Sequence, residues 1–152
     1  MATTFKLQPL VDLAAQQNDA ATKKFGQLNQ QQQAAQAKLE MLQQYRRDYQ
    51  ERFQNAVQNG MDQTDMRNFQ DFLYRLDEAI RQQRALLEQI KVAVQSGRTE
   101  LMEAQRKVKS FDTLAQRHQE AEKAKENKLE QRAQDEFNGR LAAYRMMQQN
   151  QE

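Results

Sequence analysis

Stepping by seven from Leu7, the chain places Leu7, Ala14, Ala21, Leu28, Ala35, Leu42, Tyr49 and Ala56 in one series that is apolar at every step. A second, weaker series, Val11, Asn18, Phe25, Gln32, Leu39, Arg46 and Phe53, interleaves with it at alternating spacings of four and three. That rhythm holds a narrow stripe on one helical face, as a coiled-coil seam requires. After Phe69 it resumes through Leu73, Leu76, Ile80, Gln83, Leu87, Ile90, Val94 and Gly97, then Leu101, Ala104, Val108, Phe111 and Ala115. Two long helices are predicted.

Between the stripes lies Gln58-Asn59-Gly60-Met61-Asp62-Gln63-Thr64-Asp65. Asn-Gly can stop one helix, and Asp62 or Thr64 can cap the next. A chain folding back there pairs Phe53 with Phe69, Leu42 with Ile80 and Leu28 with Val94 in one antiparallel register. The same register sets bulky Phe25 against Gly97, a large and small pair that fills one layer, and Leu7 against Ala115. Beyond Ala115 the seam positions become His118, Glu122, Lys125, Arg132 and Glu136, with only Leu129 apolar.

The expected fold is therefore all-α: a long antiparallel two-helix coiled-coil hairpin with the second helix overhanging the first. The whole of 1–152 forms a single hairpin, with helix 1 about 8–58, a turn about 59–64, helix 2 about 65–142 and a frayed tail 143–152. Pro9 suits a first helical turn, where its missing N–H is harmless, so the residues before it are expected to be extended. Asn18, Gln32 and Arg46 recur every 14 residues in the weaker series. They read either as polar seam residues that fix register or as loosely packed layers of a surface-rich hairpin.

Composition narrows the function. The hydrophobic share is 38% and the mean hydropathy −1.08, too polar for a compact globular core, while the 28 Gln and the single Pro favour helix. With 23 basic and 21 acidic residues, bulk attraction to nucleic acid is not expected. The absence of Cys fits a reducing compartment, no secretory pattern follows Met1, and no apolar run reaches membrane-spanning length.

No enzyme is expected, because catalysis needs groups converging on a water-excluding pocket and a two-helix hairpin offers open grooves. His118, the one histidine, has only flanking carboxylates for company and reads as a solvated side chain of the overhang rather than a metal ligand. Neither metal nor cofactor is expected. The spacings of Asp48 to Arg52, Asp77 to Arg81, Glu103 to Lys107 and Glu136 to Arg140 suit ion pairs within a helix.

The informative residues are apolar ones beyond what a seam needs. Leu42, Tyr45 and Tyr49 share one helical face, and Phe72, Leu76, Ala79 and Gln83 repeat the arrangement on the facing helix. These either widen the core or anchor a protein interface. A thinner stripe, Leu129, Ala133, Phe137, Leu141 and Tyr144, runs along the overhang, where it could dock in a partner's groove.

Several segments taken together resemble the FliJ family of flagellar type III export proteins. They are Phe5-Lys6-Leu7-Gln8-Pro9-Leu10, Leu39-Glu40-Met41-Leu42-Gln43-Gln44-Tyr45-Arg46-Arg47-Asp48-Tyr49, Asn68-Phe69-Gln70-Asp71-Phe72-Leu73, Leu76-Asp77-Glu78-Ala79-Ile80 and Asp135-Glu136-Phe137. The resemblance implies a stalk-like component of bacterial flagellum biogenesis that binds the export ATPase FliI, with its regulator FliH, and promotes assembly of the ATPase ring. It further implies coupling to the export gate protein FlhA and escort of the export chaperones of late substrates. Carried over by residue, the gate-binding patch is Leu42, Tyr45, Tyr49, Phe72, Leu76 and Ala79. Lys38 and Gln83 at its edges depart from the family's usual pattern. Arg132, Phe137 and Arg140 are the implied ATPase contact. A cytoplasmic monomer, peripheral to the inner membrane without inserting in it, is implied. The competing readings are a structural coil that self-associates as a dimer or filament, and nucleic-acid binding through Lys23, Lys24, Arg46, Arg47 and the basic tail residues, against which the interleaved acids weigh.

Overall fold

The computed structural model describes residues 4–151, which form two helices, α1 (Gln8–Gln58) and α2 (Gln63–Gln149), and no strand among the described residues. Good helix formers fill both, and no proline interrupts α2. Pro9 sits in the first turn of α1, as the sequence requires. Two compact units arise, one spanning Gln17–Gln105 and the other built from residues 4–16 and 106–151.

The Gln17–Gln105 unit contains the turn. Asn59 N–H and Gly60 N–H donate back to the carbonyls of Asn55 and Val57, both at 3.2 Å, and close α1. Gly60 then adopts φ +88°, a left-handed conformation in which a side chain is strained, so glycine is needed at this position. The carbonyl of Asp62 accepts from Met66 N–H at 3.0 Å and starts α2, which begins at Gln63 rather than near 65.

Cross-helix contacts follow the antiparallel register read from the two stripes. The Phe53 and Phe69 rings lie 5.6 Å apart, Ala35, Leu39, Ile80 and Leu87 form a buried cluster, and Leu42 and Ile90 pack against it. A methyl group built on Gly97 would stand 3.7 Å from Phe25 and 2.8 Å from Leu28, so the small residue does make room for the large one. No side chain in the described residues is fully enclosed, because two helices alone leave both edges of every layer open.

The polar seam residues behave differently from one another. Gln83 is buried, and its Nε2 donates to the Ala35 carbonyl at 3.0 Å across the seam. Arg46 reaches sideways and pairs with Asp77 of α2. That contact diverts Asp77 from the expected intrahelical pair with Arg81, which binds Glu78 instead. Asn18 Oδ1 is buried without a hydrogen-bond partner, an arrangement that costs about 1–3 kcal/mol.

In the second unit Ala14 is buried, and Val108, Phe111 and Ala115 are half-buried. Two expectations need correction here. The stretch before α1 is not simply extended, since Gln8 N–H donates to the Phe5 carbonyl at 3.1 Å in a turn; residues 1–3 lie outside the described part. Nor is His118 a solvated side chain of an overhang: it is half-buried, with its ring 5.3 Å from that of Phe5. The turn brings Phe5 round to cover one more layer than the heptad pattern alone reached. From residue 123 onward every described residue of α2 is exposed.

The end of α2 also differs from expectation. Helix continues to Gln149 instead of fraying after 142, because Ala142, Ala143, Arg145, Met146 and Met147 are strong helix formers with no Gly or Pro among them. Only residues 150 and 151 leave it, through a closing turn, and Glu152 lies outside the described part.

Candidate functional site

Tyr45 and Tyr49 are one helical turn apart on α1, and Phe69 and Phe72 are three residues apart on α2, so each pair shares a face. The antiparallel register brings the two faces together as a zigzag of rings. Tyr45 meets Phe72 edge-on at 6.1 Å, Phe72 lies 4.4 Å from Tyr49, and Tyr49 lies 4.9 Å from Phe69. Each such contact adds about 0.5–1.5 kcal/mol beyond burial, enough to hold the rings in place. Tyr45 at the outer end of the zigzag is 47% exposed, whereas Tyr49 and Phe72 are half-buried beneath it.

The six candidate residues are therefore not equivalent. Leu76 is a core residue, 7% exposed, and Leu42 packs against the buried cluster, as their places in the two seam series require, so the face they share with the rings does not make them surplus. Ala79 is half-buried, and Gln83 is committed to the Ala35 carbonyl, leaving Tyr45, Tyr49 and Phe72 as the rings within reach of a partner. Phe69 and Phe53 extend the same cluster toward the turn. In sequence they carried only the seam period, and their adjacency to the tyrosines was the unread signal.

Electrostatics on the far side of the seam differ. Arg46 binds Asp77, with a second contact from Nη2 to Oδ2 at 3.4 Å, and the hydrogen bond with Asp77 raises the guanidinium's pKa further above its usual value. At this level of exposure such a pair is worth about 0–1 kcal/mol, so it orients the helices more than it stabilises them. Glu78 is held below the usual carboxylate range by the hydrogen bond from Arg81.

Arg132, Phe137 and Arg140 lie on the exposed length of α2, and Phe137 is 61% exposed. They belong to the unit built from residues 4–16 and 106–151, and the aromatic cluster belongs to Gln17–Gln105. Near His118 an open cleft is lined by Phe5, Gln8, Ala115, Glu122 and neighbours. No group of three or more His, Cys, Asp or Glu among the described residues could hold a metal ion. Likewise, no helix of the described residues is long and apolar enough to cross a membrane.

The family model for the flagellar FliJ protein matches residues 3–147. The chain belongs to the FliJ family. It is similar to the flagellar FliJ protein of Salmonella typhi, with 30% identity over 142 residues covering 93% of this chain and 97% of that relative. Its similarity to the flagellar FliJ protein of Escherichia coli (strain K12) has the same extent. Membership in the FliJ family makes the chain a component of flagellar export and not an enzyme.

Proposed function

We propose that this FliJ-family chain is an adaptor of bacterial flagellar type III export that works entirely by binding. In this reading the Tyr45, Tyr49 and Phe72 rings dock on the export gate protein FlhA, with Leu42, Leu76 and Ala79 holding them in place. The exposed length of α2, through Arg132, Phe137 and Arg140, contacts the export ATPase FliI, with its regulator FliH, and promotes assembly of the ATPase ring. The adaptor also escorts export chaperones of late substrates. It acts in the cytoplasm at the inner face of the membrane, as a monomer when purified.

The observation that carries the reading is the cross-helix aromatic zigzag with its exposed outer tyrosine. A two-helix seam leaves the edges of its layers open, and aromatic rings held at such an edge are the usual anchors of protein interfaces. The test is binding of the purified chain to the soluble part of FlhA from the same organism. Tyr45→Ala, Tyr49→Ala and Phe72→Ala together are expected to weaken it at least about tenfold, with helicity kept by circular dichroism. Tyr45→Glu alone, at an exposed position, guards against loss of binding through misfolding. Undiminished binding by both variants would refute the patch. Stimulation of FliI by the wild-type chain tests the second contact, and a chain that only self-associates would not stimulate it.

A further inference from the structure

In a two-helix coil the positions that flank the seam are ordinarily charged on both sides. Here α2 is lopsided. One flank, in heptad steps, reads Gln70, Asp77, Arg84, Lys91 and Arg98, while the other reads Phe72, Ala79, Leu86 and Ala93. The charged flank holds the Arg46 pair and leaves nothing apolar unburied. On the apolar flank Phe72 belongs to the aromatic zigzag, Ala79 and Ala93 are half-buried, and Leu86 is 45% exposed.

The matching flank of α1 carries Lys24, Gln31, Lys38, Tyr45 and Arg52. Lys24 is bound to Glu100 at 3.1 Å, which closes the series. Lys38 and Arg52 meet no carboxylate among the described residues. One side of the Gln17–Gln105 hairpin thus offers an apolar stripe from α2 beside unpaired cations from α1.

We infer that this side is the seat of a third helix, supplied by the partner that the aromatic zigzag engages. The inference rests on the reading of that zigzag as a docking surface and extends it by two heptads, to Leu86 and Ala93. Three-stranded packing explains the composition, since a third helix inserts side chains between successive flank residues. The alternation of large and small, Phe72 then Ala79 then Leu86 then Ala93, is the pattern that interdigitates with a facing helix. From Phe72 to Ala93 the stripe is about 32 Å long at ~1.5 Å per residue. The occupant is accordingly an amphipathic helix of comparable length, with an apolar residue every seventh position and carboxylates facing Lys38 and Arg52.

The soluble part of FlhA from the same organism serves as the probe, titrated against the full chain. Leu86→Glu is expected to weaken binding at least about tenfold, and Lys38→Glu by several-fold. Val92→Glu, at an outward position 70% exposed, is expected to leave binding unchanged. The chain has no cysteine, so single spin labels at 79, 86 and 93 can be compared with labels at 82 and 89. Immobilisation of the first set alone on binding is the signature of a helix seated along this flank. Wild-type affinity for Leu86→Glu, or labels that respond without the seven-residue period, would overturn the inference. So would sedimentation showing that a second copy of this chain occupies the flank. Loss of binding in the Tyr45, Tyr49 and Phe72 variant with full binding in Leu86→Glu would remove only the third helix. Undiminished binding in both would remove the docking patch itself.

Discussion

Leu76→Ala separates a supporting residue from a contacting one. Leu76 is 7% exposed and sits one turn from Phe72 on α2. Burying a leucine side chain is worth about 1.5–3 kcal/mol, and Leu→Ala in a closed core costs about 2–5 kcal/mol once the cavity is included. The seam is open at both edges, so neighbours relax and water enters, which places this site near the lower end, about 2–3 kcal/mol. Tyr45→Ala removes an edge-on contact at 6.1 Å and a tilted one at 6.4 Å from a side chain already 47% exposed; both lie toward the long end of ring-contact distances, so the loss is at the low end of the sum of two such contacts, about 1 kcal/mol. For a chain of this size each kcal/mol moves the melting midpoint by roughly 2–4 °C, so Leu76→Ala should melt about 4–12 °C below wild type. Thermal unfolding followed by circular dichroism reads both variants. If Leu76→Ala melts with the wild type, or if Tyr45→Ala is the less stable of the two, Leu76 is not the core residue described above. Should the order hold, weaker partner binding by Leu76→Ala reports a loosened platform, and weaker binding by Tyr45→Ala reports a lost contact.

Gly60→Val should destabilise the hairpin by about 1–2 kcal/mol, because φ is +88° there, whereas Gly60→Asn should cost distinctly less; denaturant midpoints compare them. No atom would meet a Cβ at that position, so the effect is purely one of backbone strain. Gln83→Ala should cost about 1–2 kcal/mol through the lost bond to Ala35 and the space left behind, while Gln83→Leu should be close to neutral in the same assay. The Glu78 carboxyl, lowered by its hydrogen bond with Arg81, lends stability that is present above the unfolded-state value and is lost as pH falls through the lower folded-state value. NMR titration of the side-chain carboxyl should therefore place it below an unstructured glutamate, and Arg81→Gln should bring it back up.

Much of the architecture was legible in one dimension. Heptad spacing needs only a local helical period to define a seam, and Asn59-Gly60 needs only glycine's tolerance of positive φ to define a turn, so two helices and their register followed from residue order alone. The aromatic faces of α1 and α2 were visible for the same reason. Sequence could not decide how deep each flanking residue lies, because depth depends on the angle at which two particular helices meet. Tyr45 and Phe72 both flank the seam, yet Tyr45 is 47% exposed and Phe72 is half-buried.

Three further features required the tertiary structure. The contact of Phe5 with His118 depends on a turn outside any heptad, and Asp77 chose Arg46 across the seam over Arg81 along its own helix. Gln83, polar by type and apolar by position, was settled by a carbonyl on the opposite helix. Residue order determined which faces could meet, through the period of the helix. The packed hairpin decided which side chains those faces enclose and which they leave for a partner, because enclosure is a property of two surfaces at once.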